Sequence, residues 1–113
     1  TEAPPPLSKE KLMAILADFK KKIQALYGDN YLGLILYGSY ARGTPHAESD
    51  IDLLLILKEM QSPFDELSKC SMLTVEYLLS HDINISIVPA LKEKFDNAPQ
   101  HFYKNIKAEG IRL

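Results

Sequence analysis

Two short apolar runs, Leu32 to Tyr37 and Ile51 to Leu57, flank a polar stretch that opens on Gly38-Ser39 and closes on Asp50-Ile51-Asp52. Runs this short suit buried strands, whereas a helix needs about 10–12 residues to show its period. Two buried strands in succession have to sit in a sheet, and a sheet with apolar strands has to be covered. This arrangement narrows the possible folds more than any other feature of the chain.

Helical patterns supply the cover. Ser8 stands where an N-cap would, with Glu10 in the first turn, where a negative charge suits the helix dipole. Leu12, Ile15, Leu16, Phe19, Ile23, Leu26 and Tyr27 follow at helical spacing. Lys20, Lys21 and Lys22 read as a solvated face that complements the dipole near the helix end. Gly28-Asp29-Asn30 stops this helix. Ser62, Pro63 and Asp65 occupy the N-cap, N1 and N3 positions of a second one. Its apolar stripe is expected from Phe64, Leu67, Met72, Val75, Leu78 and Leu79. Ile83 to Val88 alternates as a half-buried strand does. After Pro89 the pattern predicts a short helix near Leu91 to Phe95 and another near Pro99 to Glu109, with Gly110 as C-cap. Ile111 to Leu113 is placed to add a last short strand.

The predicted order is α-β-β-α-β-α with a terminal strand. It implies an α/β (α+β) fold, a small mixed sheet flanked by helices. Residues 1–7 read as a flexible N-terminal tail, its Pro4-Pro5-Pro6 favouring polyproline II, and residues 8–113 as a single domain. Thirteen Lys and Arg against 15 Asp and Glu leave a formal charge of −2, which argues against a general nucleic-acid binder. No apolar run approaches the length of a membrane span, and the start lacks the basic and apolar regions of a signal peptide. The single cysteine, Cys70, makes no internal disulfide, which fits a reducing, cytoplasmic location. It reads as a packed small residue.

The chemistry resides in the segment between the two apolar runs. Gly38 lets the chain turn sharply and lets a phosphate approach the backbone. If Ser39 opens a helical turn, several unpaired N–H groups point one way and make an anion site. Arg42 can add charge-assisted bonds to phosphate, and Gly43 ends the turn. Asp50 and Asp52 stand two apart on the predicted strand and share a face. Two adjacent carboxylates repel unless they are exposed or a divalent cation neutralises them. Mg2+ takes one or two carboxylates together with phosphate oxygens and water. A Gly-Ser turn alone, or two acids alone, means little; together, with a strand on each side, they form a specific pattern. It is neither a Walker loop nor the dinucleotide glycine fingerprint.

Leu36-Tyr37-Gly38-Ser39-Tyr40-Ala41-Arg42-Gly43, followed by Ser49-Asp50-Ile51-Asp52-Leu53-Leu54-Leu55, resembles the minimal nucleotidyltransferases of the DNA polymerase beta-like superfamily. The resemblance implies a nucleoside triphosphate, usually ATP, and a two-metal Mg2+ site. By this analogy Gly38 and Ser39 hold the triphosphate, next to the Arg42 read above as a phosphate contact, and Asp50 and Asp52 are the catalytic metal ligands. Many members of the resembled family are antitoxins encoded beside a HEPN-domain toxin, and some transfer AMP to a tyrosine of that partner. The resemblance thus implies a HEPN-type partner protein and leaves an oligomer open, while the charge balance and the lack of a long apolar run imply no direct nucleic acid and no membrane.

Active members carry a third carboxylate on the next strand, and here Ser86 aligns with it. Asp82 would share that face but lies four residues earlier, about 13 Å at strand rise. It reads as a turn residue at the strand entrance. Two classes of function follow. One is an enzyme that transfers AMP. The other is a catalytically weak or inactive nucleotide-binding antitoxin that acts by binding its partner. Phe95, Phe102, Tyr103 and Ile106 read first as core and second as a docking surface. His46, His81 and His101 show no metal spacing and read as surface residues, with His46 the one placed to meet a phosphate. Tyr40 is either a base-stacking or modified residue or a loop aromatic packed on the domain.

Overall fold

The computed structural model describes residues 7–45, 50–97 and 101–113. Helix α1 spans Lys9–Tyr27, and its cap is the expected one: Lys11 N–H donates to the Ser8 hydroxyl at 3.2 Å. A 3-10 turn at Gly28–Asn30 leads into β1, Tyr31–Tyr37. The one-turn helix α2, Ser39–Arg42, precedes β2, Ile51–Leu57. Helix α3, Pro63–His81, crosses to β3, Ile85–Leu91. Helices α4, Lys92–Asn97, and α5, His101–Glu109, end in the short strand β4, Ile111–Arg112.

The sheet order is β3-β2-β1-β4. β1 is antiparallel to both β2 and β4, while β2 and β3 run parallel, which requires a crossover such as α3. The result is the expected mixed sheet with helices on both faces. Because side chains alternate along a strand, each face gathers its own core. Leu34, Leu36, Leu53, Leu55 and Ile87 pack with Leu16, Phe19 and Ile23 of α1. Ile35, Leu54, Ile56 and Ala90 pack with Phe95 of α4 and Ile106 of α5. The central strand β2 is buried on both faces from Leu53 to Leu57, which is why it reads as an unbroken apolar run. No described helix is long and apolar enough to cross a membrane.

The structure corrects several expectations. The apolar stripe of α3 faces outward: Phe64 is 76% exposed, Met72 80% and Leu79 81%. The helix buries Glu66, Cys70 and Tyr77 instead, and the polar tips of Cys70 and Tyr77 find partners on α1. Tyr77 packs edge-on against Phe19, with ring centroids 5.5 Å apart, and gives its hydroxyl to Asp18; Cys70 Sγ lies 3.4 Å from the Tyr27 hydroxyl. Among the three lysines, Lys22 is not simply solvated: it pairs with Asp18 at 3.3 Å and with Glu76 of α3 at 3.0 Å. The last turn of α1 holds no basic residue.

β3 begins at Ile85 rather than Ile83 and runs through Pro89. A proline is tolerated there because β3 is an edge strand, bonded on one side only. Asp82 consequently lies on no strand. It caps α3 with φ 54°, in the left-handed region, and its N–H donates to Leu78 O. Its reading as a turn residue holds, and its placement on the strand face does not.

Candidate active site

The turn after β1 needs a glycine for two reasons. Gly38 has φ 78°, and a Cβ at this position would run into the Asp52 carboxylate. The lack of a side chain thus lets the β1–α2 turn lie directly against a carboxylate of β2. Ser39 then starts α2, Arg42 N–H donates to Gly38 O at 3.1 Å, and Gly43 closes the turn at φ 76°. The leading N–H groups of a helical turn have no acceptor within it and attract anions.

Strand register assembles the rest. Tyr37 stands opposite Asp52, and Asp52 stands beside Ser86. This Tyr37–Asp52–Ser86 row crosses three strands at one end of the face that Ile35, Leu54 and Val88 present to α4 and α5. Asp50 lies just before β2 and is exposed. Burial first, and then the charge of Asp50, raise the Asp52 carboxyl above the usual carboxylate range, while Arg42 pulls it part of the way back. Burial, with the Asp52 charge adding to it, also raises the Tyr37 phenol.

The remaining residues singled out by the sequence fall as follows. Ser39 is half-buried at the start of α2. Arg42 is exposed, with Nη1 3.7 Å from Glu109 Oε2 of α5. An ion pair this open is worth about 1 kcal/mol or less, so a phosphate can readily replace Glu109. The Tyr40 hydroxyl accepts from Leu7 N–H at 3.2 Å and its ring packs on the α1-side core, which matches the packed reading. His46 and Ser49 lie outside the described residues, while His81 and His101 are exposed. Phe95 and Ile106 are buried in the α4/α5 core. Cys70 is 1% exposed, a packed residue.

Two clefts lie at the two ends of the Tyr37–Asp52–Ser86 row. One, of 240 Å3, lies between α2 and α5 and is lined by Tyr37, Gly38, Arg42, Phe102, Asn105 and Glu109 among others. The other, of 410 Å3, lies between α3 and the β3 edge, with Asp50, Ser71, Thr74, Asn84 and Ser86 on its walls. Sequence reasoning missed the α5 wall. No local signal marks it, since α5 reaches the site only because β4 pairs with Ile35 and Leu36 of β1.

The residues fit a magnesium ion better than a dedicated protein cage. Among the described residues no group of three His, Cys, Asp or Glu gathers to hold a metal. What is present is a half-buried carboxyl whose ionisation is opposed by burial and by a second carboxylate, beside a cleft that opens at Gly38. A cation that binds one or two carboxylates and completes its shell with phosphate oxygens and water suits this arrangement.

Comparison with known proteins agrees with the geometry. Residues 16–113 match the family described as "Nucleotidyltransferase domain". Two relatives come from Methanocaldococcus jannaschii. "Putative protein adenylyltransferase MJ0141" is 40% identical over 76 residues, spanning 67% of this chain and 76% of the relative. "Putative protein adenylyltransferase MJ1305" is 36% identical over 91 residues, spanning 80% of this chain but only 60% of the relative. Among solved structures, a nucleotidyltransferase from Sulfolobus solfataricus, described as putative, superposes with a TM-score of 0.64 at 16% identity, covering 90% of this chain and 78% of that one. A toxin-antitoxin structure with AMP-PNP gives 0.59 at 18% identity, covering 84% and 69%. At such identities the two structures share the fold.

Proposed function

The chain belongs to the nucleotidyltransferase domain family, and on that premise we propose that it transfers AMP from ATP, with Mg2+, to a hydroxyl of a partner protein, as the antitoxin of a HEPN-type pair. The observation that carries this reading is the close approach of Gly38 to Asp52, which sets the turn opening on Ser39 against a carboxylate. Two kinds of relative support the finer parts. The archaeal proteins are named as protein adenylyltransferases, and one solved neighbour is a toxin-antitoxin structure holding an ATP analogue. The HEPN identity of the partner rests on the motif resemblance.

In such a transfer the acceptor oxygen bonds to the α-phosphorus, the bridging bond to the β-phosphate breaks, and pyrophosphate leaves. The acceptor also gives up a proton. The Gly38-Ser39 turn receives the phosphates, and Arg42 exchanges Glu109 for a phosphate oxygen. Asp50 and Asp52 would hold Mg2+, which when bound neutralises charge on the transferring phosphate. The 410 Å3 cleft, with Asp50 and Ser86 on its walls, would admit the acceptor at the Ser86 end of the row. Ser86, in register beside Asp52, is a poor base. General-base help is often worth about 10²–10⁴-fold, so transfer is slow unless the partner brings a base.

Ser86 also favours the second reading, a nucleotide-binding antitoxin that silences its partner by binding alone. One experiment separates the two. Purified chain, Mg2+ and labelled ATP are added to lysate of the source cell. Label on a discrete protein from α-labelled but not γ-labelled ATP supports AMP transfer. Label from γ-labelled ATP contradicts it. No label, from a folded chain that binds Mg·ATP, selects the binding reading.

A further inference from the structure

We propose that the 240 Å3 cleft between α2 and α5 is the pocket for the base of the nucleotide, and that Asn105 selects adenine there; the inference rests on the nucleotide-binding part of the reading above. The cleft shares Gly38 and Arg42 with the phosphate-binding turn. A ligand whose phosphates lie on that turn therefore has its other end within reach of α5. The volume falls below the roughly 300–1,000 Å3 typical of a pocket that encloses a whole drug-sized ligand. A cleft of 240 Å3 suits a ring system, with the charged chain left outside at Gly38 and Asp52.

The walls have the chemistry of a base site. Phe102, Asn105, Ile106 and Glu109 recur at i, i+3, i+4 and i+7, so they form one face of α5 turned to the cleft. Phe102 and Tyr37 meet edge to face, with centroids 5.6 Å apart and planes at 89°. Phe102 remains 44% exposed, which leaves ring surface for a base to stack on. Ile106 closes the floor and is buried. Asn105 is the one uncharged polar side chain on this wall. Its amide offers one acceptor and two donors. The N6 amino group and N7 of adenine present a donor beside an acceptor, which an asparagine amide matches with two bonds. The corresponding edge of guanine presents two acceptors, which suit Arg or Lys. With Arg42 turned to the phosphate, the charged group left on this wall is Glu109, a carboxylate, which cannot donate to the two acceptors of that guanine edge.

The test is calorimetric titration of the whole chain with ATP, GTP and inorganic tripolyphosphate, all with Mg2+. Wild type is compared with Asn105→Ala and with the isosteric Asn105→Asp, which loses the donor. Asn105 is exposed, so both variants should melt with wild type. The proposal expects wild type to favour ATP over GTP by about tenfold or more. It expects both variants to lose that preference through weaker ATP binding, with tripolyphosphate affinity unchanged. A preference that survives both substitutions, or wild-type binding of ATP and GTP alike, overturns the base site and leaves the phosphate site standing. A wild-type chain that binds neither ATP nor tripolyphosphate overturns the nucleotide reading, and this inference with it.

Discussion

Helices α1 and α3 each run 19 residues, each starts at a serine whose hydroxyl accepts from the N–H three residues on, and each carries an apolar stripe, yet only α1 buries the centre of its stripe, Leu12, Leu16, Phe19 and Ile23, while its Leu26 stays exposed. The difference shows what periodicity can and cannot report. It reveals that a helix has an apolar face. Which face docks depends on what the neighbouring elements offer. Around α1 the choice is narrow, because the remaining positions hold Lys, Glu, Gln and Asp, with only Met13 and three alanines among them. On α3 two faces compete, and the one carrying Glu66, Cys70 and Tyr77 fits the tyrosine and aspartate edge of α1.

The largest effect that could break this comparison is at its centre. Phe19→Ala should cost about 3–5 kcal/mol in urea unfolding, the usual loss for a fully buried aromatic. Phe64→Ala, on the outward stripe of α3, should change stability by no more than about 0.5 kcal/mol. Equal losses at the two positions would mean that α3 is turned the other way. A smaller effect sharpens the same point. Glu66 is 3% exposed, its Oε2 is buried without a hydrogen-bond partner among the described residues, and Lys69 lies 3.8 Å from Oε1. An unsatisfied buried polar atom costs about 1–3 kcal/mol, so Glu66→Met should raise the urea midpoint. A clear fall would show that the carboxylate has a partner which offsets its burial.

The smallest expected effect lies on the rim between the helices. The Tyr77 hydroxyl, and then Lys22, hold the Asp18 carboxyl below its usual range. A group with a lowered folded pKa adds stability that is present above its unfolded pKa and lost as pH falls through the folded one. Tyr77→Phe should therefore narrow the difference in melting temperature between about pH 5 and about pH 2. An unchanged difference would remove Tyr77 as the cause.

The same division between local and long-range information governs the site. Gly38, Gly43, Ser62 and Asp52 were legible because their signals are local: a left-handed turn, a cap, the polar entry to an apolar run. So were β1 and β2, whose apolar runs end where the strands end, to within a residue. The pairing of Arg42 with Glu109 was not legible, since it depends on β4 returning to β1. Nor was Pro89 inside β3, which required knowing that β3 is an edge strand. Ser86 falls between these cases. Its alternation is local, but its position beside Asp52 is set by the parallel register of β2 and β3.

That Asp52 against Gly38 is the reacting centre is tested most directly by Asp52→Asn, with AMP transfer and thermal stability measured together. Burial and Asp50 raise the folded pKa of Asp52, so its ionisation costs stability as pH rises through that value. The amide removes that cost. The variant should melt at or above wild type at pH 7, and the gap should close below the ordinary carboxylate range of about 4. Transfer should fall by about 10²–10³, the scale of losing an electrostatic contact to the reacting group. A folded Asp52→Asn chain that transfers AMP at the wild-type rate would contradict the assignment.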